Sequence, residues 1–234
     1  YPDIDIYVTG SVMLGNAFSE SAQSDLITLF PIMLGIIVLT LWLLLRSVTA
    51  TFSTVIIIIC SILCAMGMFG WLGWTLTGPS TSAPTVILTM AVADAVHLLV
   101  TLRQQMQQGL DKHAAIVESV RVNFMPVLIT SVTTAIGFLT MNFSEAPPFH
   151  TLGNIVAMGV SVAFILSVTF LPALIAILPV KVSKLEAGDS QNTVMDRLAD
   201  FVIAKRQFLF VGTIILTIGL VAAIPQNEIN DNFV

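Results

Sequence analysis

Charge is what this sequence has least of. Asp, Glu, Lys and Arg make up 10% of its 234 residues, against roughly 25% in a soluble domain. With 56% hydrophobic residues and a mean hydropathy of +0.95, that deficit excludes an ordinary soluble globular protein and leaves an all-α chain that crosses a membrane several times. Cysteine is nearly absent too. Cys60 and Cys64 lie one helical turn apart, a spacing with poor disulfide geometry, and read as small packing residues. The chain has no phosphate-cradling glycine loop, nucleophile elbow or metal-ligand motif. No enzyme activity, cofactor, metal or nucleic-acid partner is therefore expected.

What is present in quantity is uninterrupted apolar chain. A helical crossing of about 30 Å of hydrocarbon takes about 20 residues, and six runs qualify: Leu26 to Leu45, Val48 to Phe69, Pro84 to Leu102, Phe124 to Phe143, Leu152 to Leu178 and Gln207 to Ile224. Between the second and third, Trp71, Gly73, Trp74, Gly78, Pro79 and Pro84 supply turn formers and interfacial aromatics. Pro147 and Pro148 separate the fourth from the fifth. Gln104 to Asn123 is expected to form a short interfacial helix, and Lys181 to Lys205 a polar linker.

Basic residues are missing from one side of this arrangement. All nine Lys and Arg, at 46, 103, 112, 121, 181, 184, 197, 205 and 206, fall in loops on the other. The cation-free side holds Asp3, Asp5, Glu20, Asp25, Glu145, Glu228 and Asp231. By the positive-inside rule the basic loops are cytoplasmic and both ends of the chain external. The expected organisation is an external-domain tail over 1–25, a five-helix bundle over 26–179, a cytoplasmic linker over 180–206, a further helix over 207–225 and the start of a second external domain over 226–234. Without a Met or leader ahead of Tyr1, the chain reads as a fragment of a longer protein.

One charge breaks the pattern. Asp94 stands in the middle of the third run, about 12 to 15 Å from either end of that helix. An Asp at such a depth costs about 2.5 to 3.5 kcal/mol, and residues of this kind usually face a bundle interior or a proton or ion path. His97 and Thr101, three and seven residues on, are expected on the same face, with His97 nearer the cytoplasm. Asp94 and His97 are thus candidates for a proton relay. The plainer alternative is a buried structural carboxyl that never titrates in function. In the fourth run Thr130, Thr134, Gly137 and Met141 form a helical stripe, with Ser131 and Thr133 alongside. These residues are expected inside the bundle, either as relay neighbours or as close-packing contacts.

Four segments together carry a family resemblance. They are Arg46-Ser47 after three leucines, Ala93-Asp94-Ala95-Val96-His97-Leu98, Thr133-Thr134-Ala135-Ile136-Gly137-Phe138, and Leu171-Pro172-Ala173-Leu174. In this combination the chain resembles the resistance-nodulation-division (RND) superfamily, in its MMPL-like and Patched-like branch. Each half of such a protein has one helix, a large external domain and then five helices, the last five corresponding to a sterol-sensing-domain unit. The resemblance implies proton-driven export of hydrophobic or amphiphilic molecules, with Asp94 in the position of the relay acid. It also implies a second half supplying partners to Asp94, a bacterial cytoplasmic membrane, contact with membrane lipids, and room for a homo-oligomer. This chain has Asp94-Ala95 where MMPL-like members often have Asp-Tyr. Two other classes compare with this reading. A sterol-sensing-type module would bind lipid without pumping, and an intramembrane aspartyl protease would need a second facing carboxylate that this window lacks.

Overall fold

The computed structural model describes residues 10–179 and 193–223. All regular structure among them is helical. The chain divides into two units between Lys184 and Leu185, and each is described by itself.

The first unit begins with α1 (Ser11–Leu45), a single 35-residue helix that runs through the boundary expected at residue 25. Its apolar part, Gln23–Leu45, is long enough to cross a membrane. Ile27, Ile32, Ile36 and Leu43 stand exposed along it, as side chains facing hydrocarbon would. The helix stops at Arg46, which adopts the left-handed conformation (φ 47°) and returns its N–H to the Trp42 carbonyl. Ser47 then caps α2 (Val48–Trp71), its hydroxyl accepting from the Ala50 N–H. The Arg-Ser pair therefore reverses the chain in two residues: one ends a helix and the other starts the next.

A single 3₁₀ turn, Pro79–Ser82, leads into α3 (Ala83–Gln107). The next helix departs from expectation. No separate interfacial helix precedes it, since α4 runs without a break from Lys112 to Leu139, capped by the Asp111 carboxylate on the His113 N–H. The polar residues 112–123 belong to the spanning helix itself. The expected fifth helix is also different: α5 (Pro147–Val168) gives way at Thr169 to α6 (Phe170–Ile177). Pro172 explains the break, because its ring nitrogen cannot donate to the Val168 carbonyl and its ring crowds that group. With the preceding turns included, five segments are long and apolar enough to cross a membrane.

Helices α2, α3 and α5 enclose the core. Ile57, Ile58, Ala65, Ile87, Leu88, Ala91, Ile155, Val156 and Val160 are fully buried there. Hydroxyls on α2 do not disturb it. Thr51, Ser53, Thr54 and Ser61 each donate to the carbonyl four residues back, which satisfies them and leaves a low surface for close packing. Cys60 is half-buried and Cys64 exposed, so only the former contributes to the interior.

At the basic end of the bundle, side chains tie helix ends together. Lys112 Nζ donates to the Ala176 and Leu178 carbonyls at 2.7 and 2.8 Å. Thr49 donates to the Pro179 carbonyl, and Arg103 to that of Leu44. The Lys112 ammonium supplies donors that the end of α6 lacks by itself. Lys112→Met keeps the aliphatic stem and removes both bonds. It is expected to lower stability by about 1.5 to 3 kcal/mol, the range for hydrogen bonds to charged groups, read by unfolding in detergent.

The second unit contains α7 (Thr193–Ala204) and α8 (Arg206–Ala222). α8 is apolar but has 17 residues, about 26 Å of helix, somewhat short of a full crossing of about 30 Å. The other residues of the linker and of the two chain ends, where external-domain segments are expected, lie outside the described residues.

Candidate functional site

Asp94 is 2% exposed. Its neighbours on the inward face of α3 are Ala91, Ala95 and Leu98, all buried. Facing it, α4 presents an inward stripe spaced every four residues: Ala115, Ser119, Asn123, Val127 and Ser131. Ser131 Oγ donates to Asp94 Oδ2 at 3.4 Å, a long and weak bond. No cation pairs with the carboxyl among the described residues, whose one ion pair is Glu118 with Arg121 at 3.7 Å.

The remaining expected site residues separate into two groups. Thr101 lies half-buried on the inner side and accepts from Asn123 Nδ2 at 2.8 Å, though it is about 10 Å along the axis from Asp94. His97 is exposed, on the outer face with Ala93 and Val100; three residues turn it about 60° away from Asp94, and the two do not meet. On α4, Thr134 is half-buried, whereas Thr130, Thr133 and Gly137 are exposed. Thr130 and Thr133 donate to carbonyls of their own helix. The expected inward stripe is thus displaced by one residue. Ser131 faces Asp94 and Thr130 turns outward, because the register of α4 is set by its buried small residues from Ala115 onward.

The whole of this bundle matches a known family. Residues 1–205 match the MMPL family. A putative membrane protein of Bacillus subtilis, YdgH, is 24% identical over 94% of this chain and 26% of its own length. The siderophore exporter MmpL5 of Mycobacterium tuberculosis is 26% identical over 75% of this chain and 19% of its own. For the hopanoid transporter HpnN of Rhodopseudomonas palustris the figures are 26%, 76% and 20%.

The chain belongs to the MMPL family.

It is accordingly an integral membrane protein of the RND superfamily, spanning about a quarter or less of the length of these relatives. Two features of this MMPL chain escape a reading of motifs. Ser119 and Asn123 join Thr101 in a buried interhelical cluster, with Ser119 Oγ donating to the Leu98 carbonyl and Asn123 Nδ2 also to the Ser119 carbonyl at 2.8 Å. The fourfold spacing from Ala115 to Ser131 signals both residues once α4 is begun at Lys112. The second feature is a groove of about 620 Å³ between α1 and the start of α3, lined by Phe30, Met33 and Ile37, with Asp25, Thr81 and Thr85 as polar members. No spacing within either helix announces it, since its lining comes from segments about fifty residues apart in the sequence.

Proposed function

We propose that this chain is part of a proton-driven RND-type exporter of hydrophobic or amphiphilic molecules, with Asp94 as its intramembrane relay acid. One observation carries the reading: a carboxyl 2% exposed in the middle of a membrane-crossing helix, held among the described residues only by a hydroxyl at 3.4 Å. A purely structural carboxyl would be expected to have a cation or several short donors to offset its burial. Weak tethering suits a group that must change charge. When Asp94 gains or loses its proton, the favourable packing of α3 against its neighbours changes, and access from alternate sides converts that change into movement. His97, exposed three residues on, is available to groups from the second half of the protein and is the other relay member. Thr101, Thr130, Thr133 and Thr134 are its relay or packing neighbours. The siderophore exporter and hopanoid transporter among its relatives support a bulky, lipid-like cargo. The basic end faces the cytoplasm of a bacterial inner membrane, and external domains outside this chain select the cargo.

The test uses inverted membrane vesicles containing the full-length protein. Extrusion of a fluorescent lipid analogue is expected to require an imposed pH gradient and to stop when a protonophore collapses it. Export that continues unchanged without a gradient would sink the reading.

A second reading, a sterol-sensing-type module that binds lipid without pumping, is favoured by the groove beside α1. Under that reading a photoreactive lipid labels α1 and α3, and the same vesicles show no gradient-dependent movement.

A further inference from the structure

We infer that Thr101, Ser119 and Asn123 form the route by which protons pass between Asp94 and the basic end of the bundle, with Val127 as its closure. The inference rests on Asp94 being the relay acid and extends it to residues outside the four segments that carry the resemblance.

The cluster is a local excess of polar atoms in an apolar place. Ser119 is 3% exposed and Asn123 8%. Asn123 spends both amide hydrogens, on Thr101 Oγ1 and the Ser119 carbonyl. Among the described residues its Oδ1 accepts from nothing, and the Thr101 hydroxyl donates to nothing. One free acceptor and one free donor side by side are the partners a water needs. Beside them Ser119 opens on a recess of about 20 Å³ between α3, α4 and α6, otherwise walled by Leu98, Leu102, Val120, Pro172 and their apolar neighbours. By volume it would take a single water, with Ser119 its one polar lining residue; Thr101 and Asn123 lie outside it. The recess lies on the basic side of Asp94, at the level of the cluster.

Between the cluster and the carboxyl stands one interruption. The α4 stripe reads Ser119, Asn123, Val127, Ser131, so Val127 is the only apolar member from the recess to Asp94. It is 1% exposed, and Leu98 on α3 is 4% exposed. About 6 Å of helix on either side of Val127, about 12 Å in all from Asn123 to Ser131, separates the polar groups. Parting of α3 and α4 at this residue, wide enough for a short file of waters, would join them. Along the joined route the O–H bond on Asp94 breaks as one forms on the adjoining water, each water passes a proton to the next, and the last releases one to the aqueous phase at the basic end, leaving the carboxylate. The cluster residues pass hydrogen bonds and stay neutral.

Few other charges bear on Asp94. α2 carries only Cys60 and Cys64, α5 only His150 in its first turn, and α1 Glu20 and Asp25 at the opposite end. On α4, Glu118 pairs with Arg121, Lys112 is bound to α6, and His113 is exposed in the first turn. On α3, His97 is exposed and Arg103 is bound to the Leu44 carbonyl. The route thus contains no second titrating group.

The test is proton flux into liposomes of phosphatidylethanolamine and phosphatidylglycerol holding the full-length protein and a trapped pH dye, after an external pH step and without cargo. Val127→Thr is isosteric and supplies the missing hydroxyl; Val127→Ser is the second variant. Either is expected to raise the flux about tenfold, a modest share of what a positioned proton-transfer group contributes. Adding Asn123→Leu or Thr101→Val returns it to the wild-type rate, whereas Thr101→Ser retains it. Both Val127 variants leaking no more than wild type, with unfolding midpoints unchanged, would overturn the inference. A leak that Asn123→Leu leaves intact but Asp94→Asn abolishes overturns the route and spares the relay. A leak abolished by Asn123→Leu and untouched by Asp94→Asn overturns the relay reading instead.

Discussion

Asp94→Asn is expected to abolish proton-driven export by the full-length protein while the chain inserts and folds normally. The two side chains have the same shape, so the contact between α3 and α4 is retained, and the amide oxygen still accepts from the Ser131 hydroxyl that now donates to Asp94 Oδ2. Only the exchangeable proton is removed. A positioned proton-transfer group is worth roughly 10² to 10⁴ in rate, so a loss of at least about 100-fold is expected. Thermal stability should hold or rise, because a neutral amide is less costly than a carboxylate in a site that is 2% exposed. The opposed directions give the experiment its force. A structural carboxyl would lose stability and transport together when altered. Export near the wild-type rate with the gradient intact would refute the relay, and parallel loss of folding would reduce Asp94 to a packing residue. Asp94→Glu retains the proton but pushes an extra methylene into the α3–α4 contact; it should keep part of the activity and less of the stability.

The membrane-spanning part of the fold was readable because hydrocarbon leaves a chain few choices: long apolar runs must be helices, and charges must lie between them. Asp94 stood out for the same reason. Side-chain direction was less accessible. His97 shares a helix and a spacing with Asp94, yet the 60° between positions three apart is enough to turn it onto the outer surface. Ser119 and Asn123 are hidden from a hydropathy reading, because the polar first turns of α4 resemble a separate interfacial helix over 104–123. Their burial comes from antiparallel contact with α3, where Leu98 and Thr101 supply the hydrogen-bond partners. Thr169 is a similar case. A charge-free run conceals the break in it, but Pro172 three residues on forces one.

Gly153→Ala is expected to be the most destabilising single-methyl addition in the bundle, and the reason is what the methyl would strike. At Gly153 a Cβ would run into the carbonyl oxygen of Phe138, with Met141 Cβ at 3.0 Å behind it. The carbonyl belongs to the backbone near the end of α4 and cannot rotate aside, so α4 and α5 must separate along their contact. At Gly159, deeper in the core, the methyl would meet Cδ1 and Cγ1 of the fully buried Ile87, with Ala65 Cβ at 3.2 Å. That isoleucine can swing both atoms aside by a change of χ1, which a backbone carbonyl cannot do. Gly137, by contrast, has nothing within 4 Å of a built Cβ and lies exposed on α4, although its sequence setting makes it look like a packing glycine. Overpacking costs typically about 1 to 3 kcal/mol, and an alanine in a helix recovers up to about 1 kcal/mol over glycine. Stability in detergent should therefore fall by about 2 to 3 kcal/mol for Gly153→Ala and by about 1 kcal/mol for Gly159→Ala, while Gly137→Ala should be neutral or stabilising by up to about 1 kcal/mol. Gly153→Val should fail to accumulate in membranes. If Gly153→Ala unfolds at the wild-type midpoint, or Gly137→Ala proves the worst of the three, then the register of α4 against α5 is wrong, and with it the placement of Ser131 opposite Asp94.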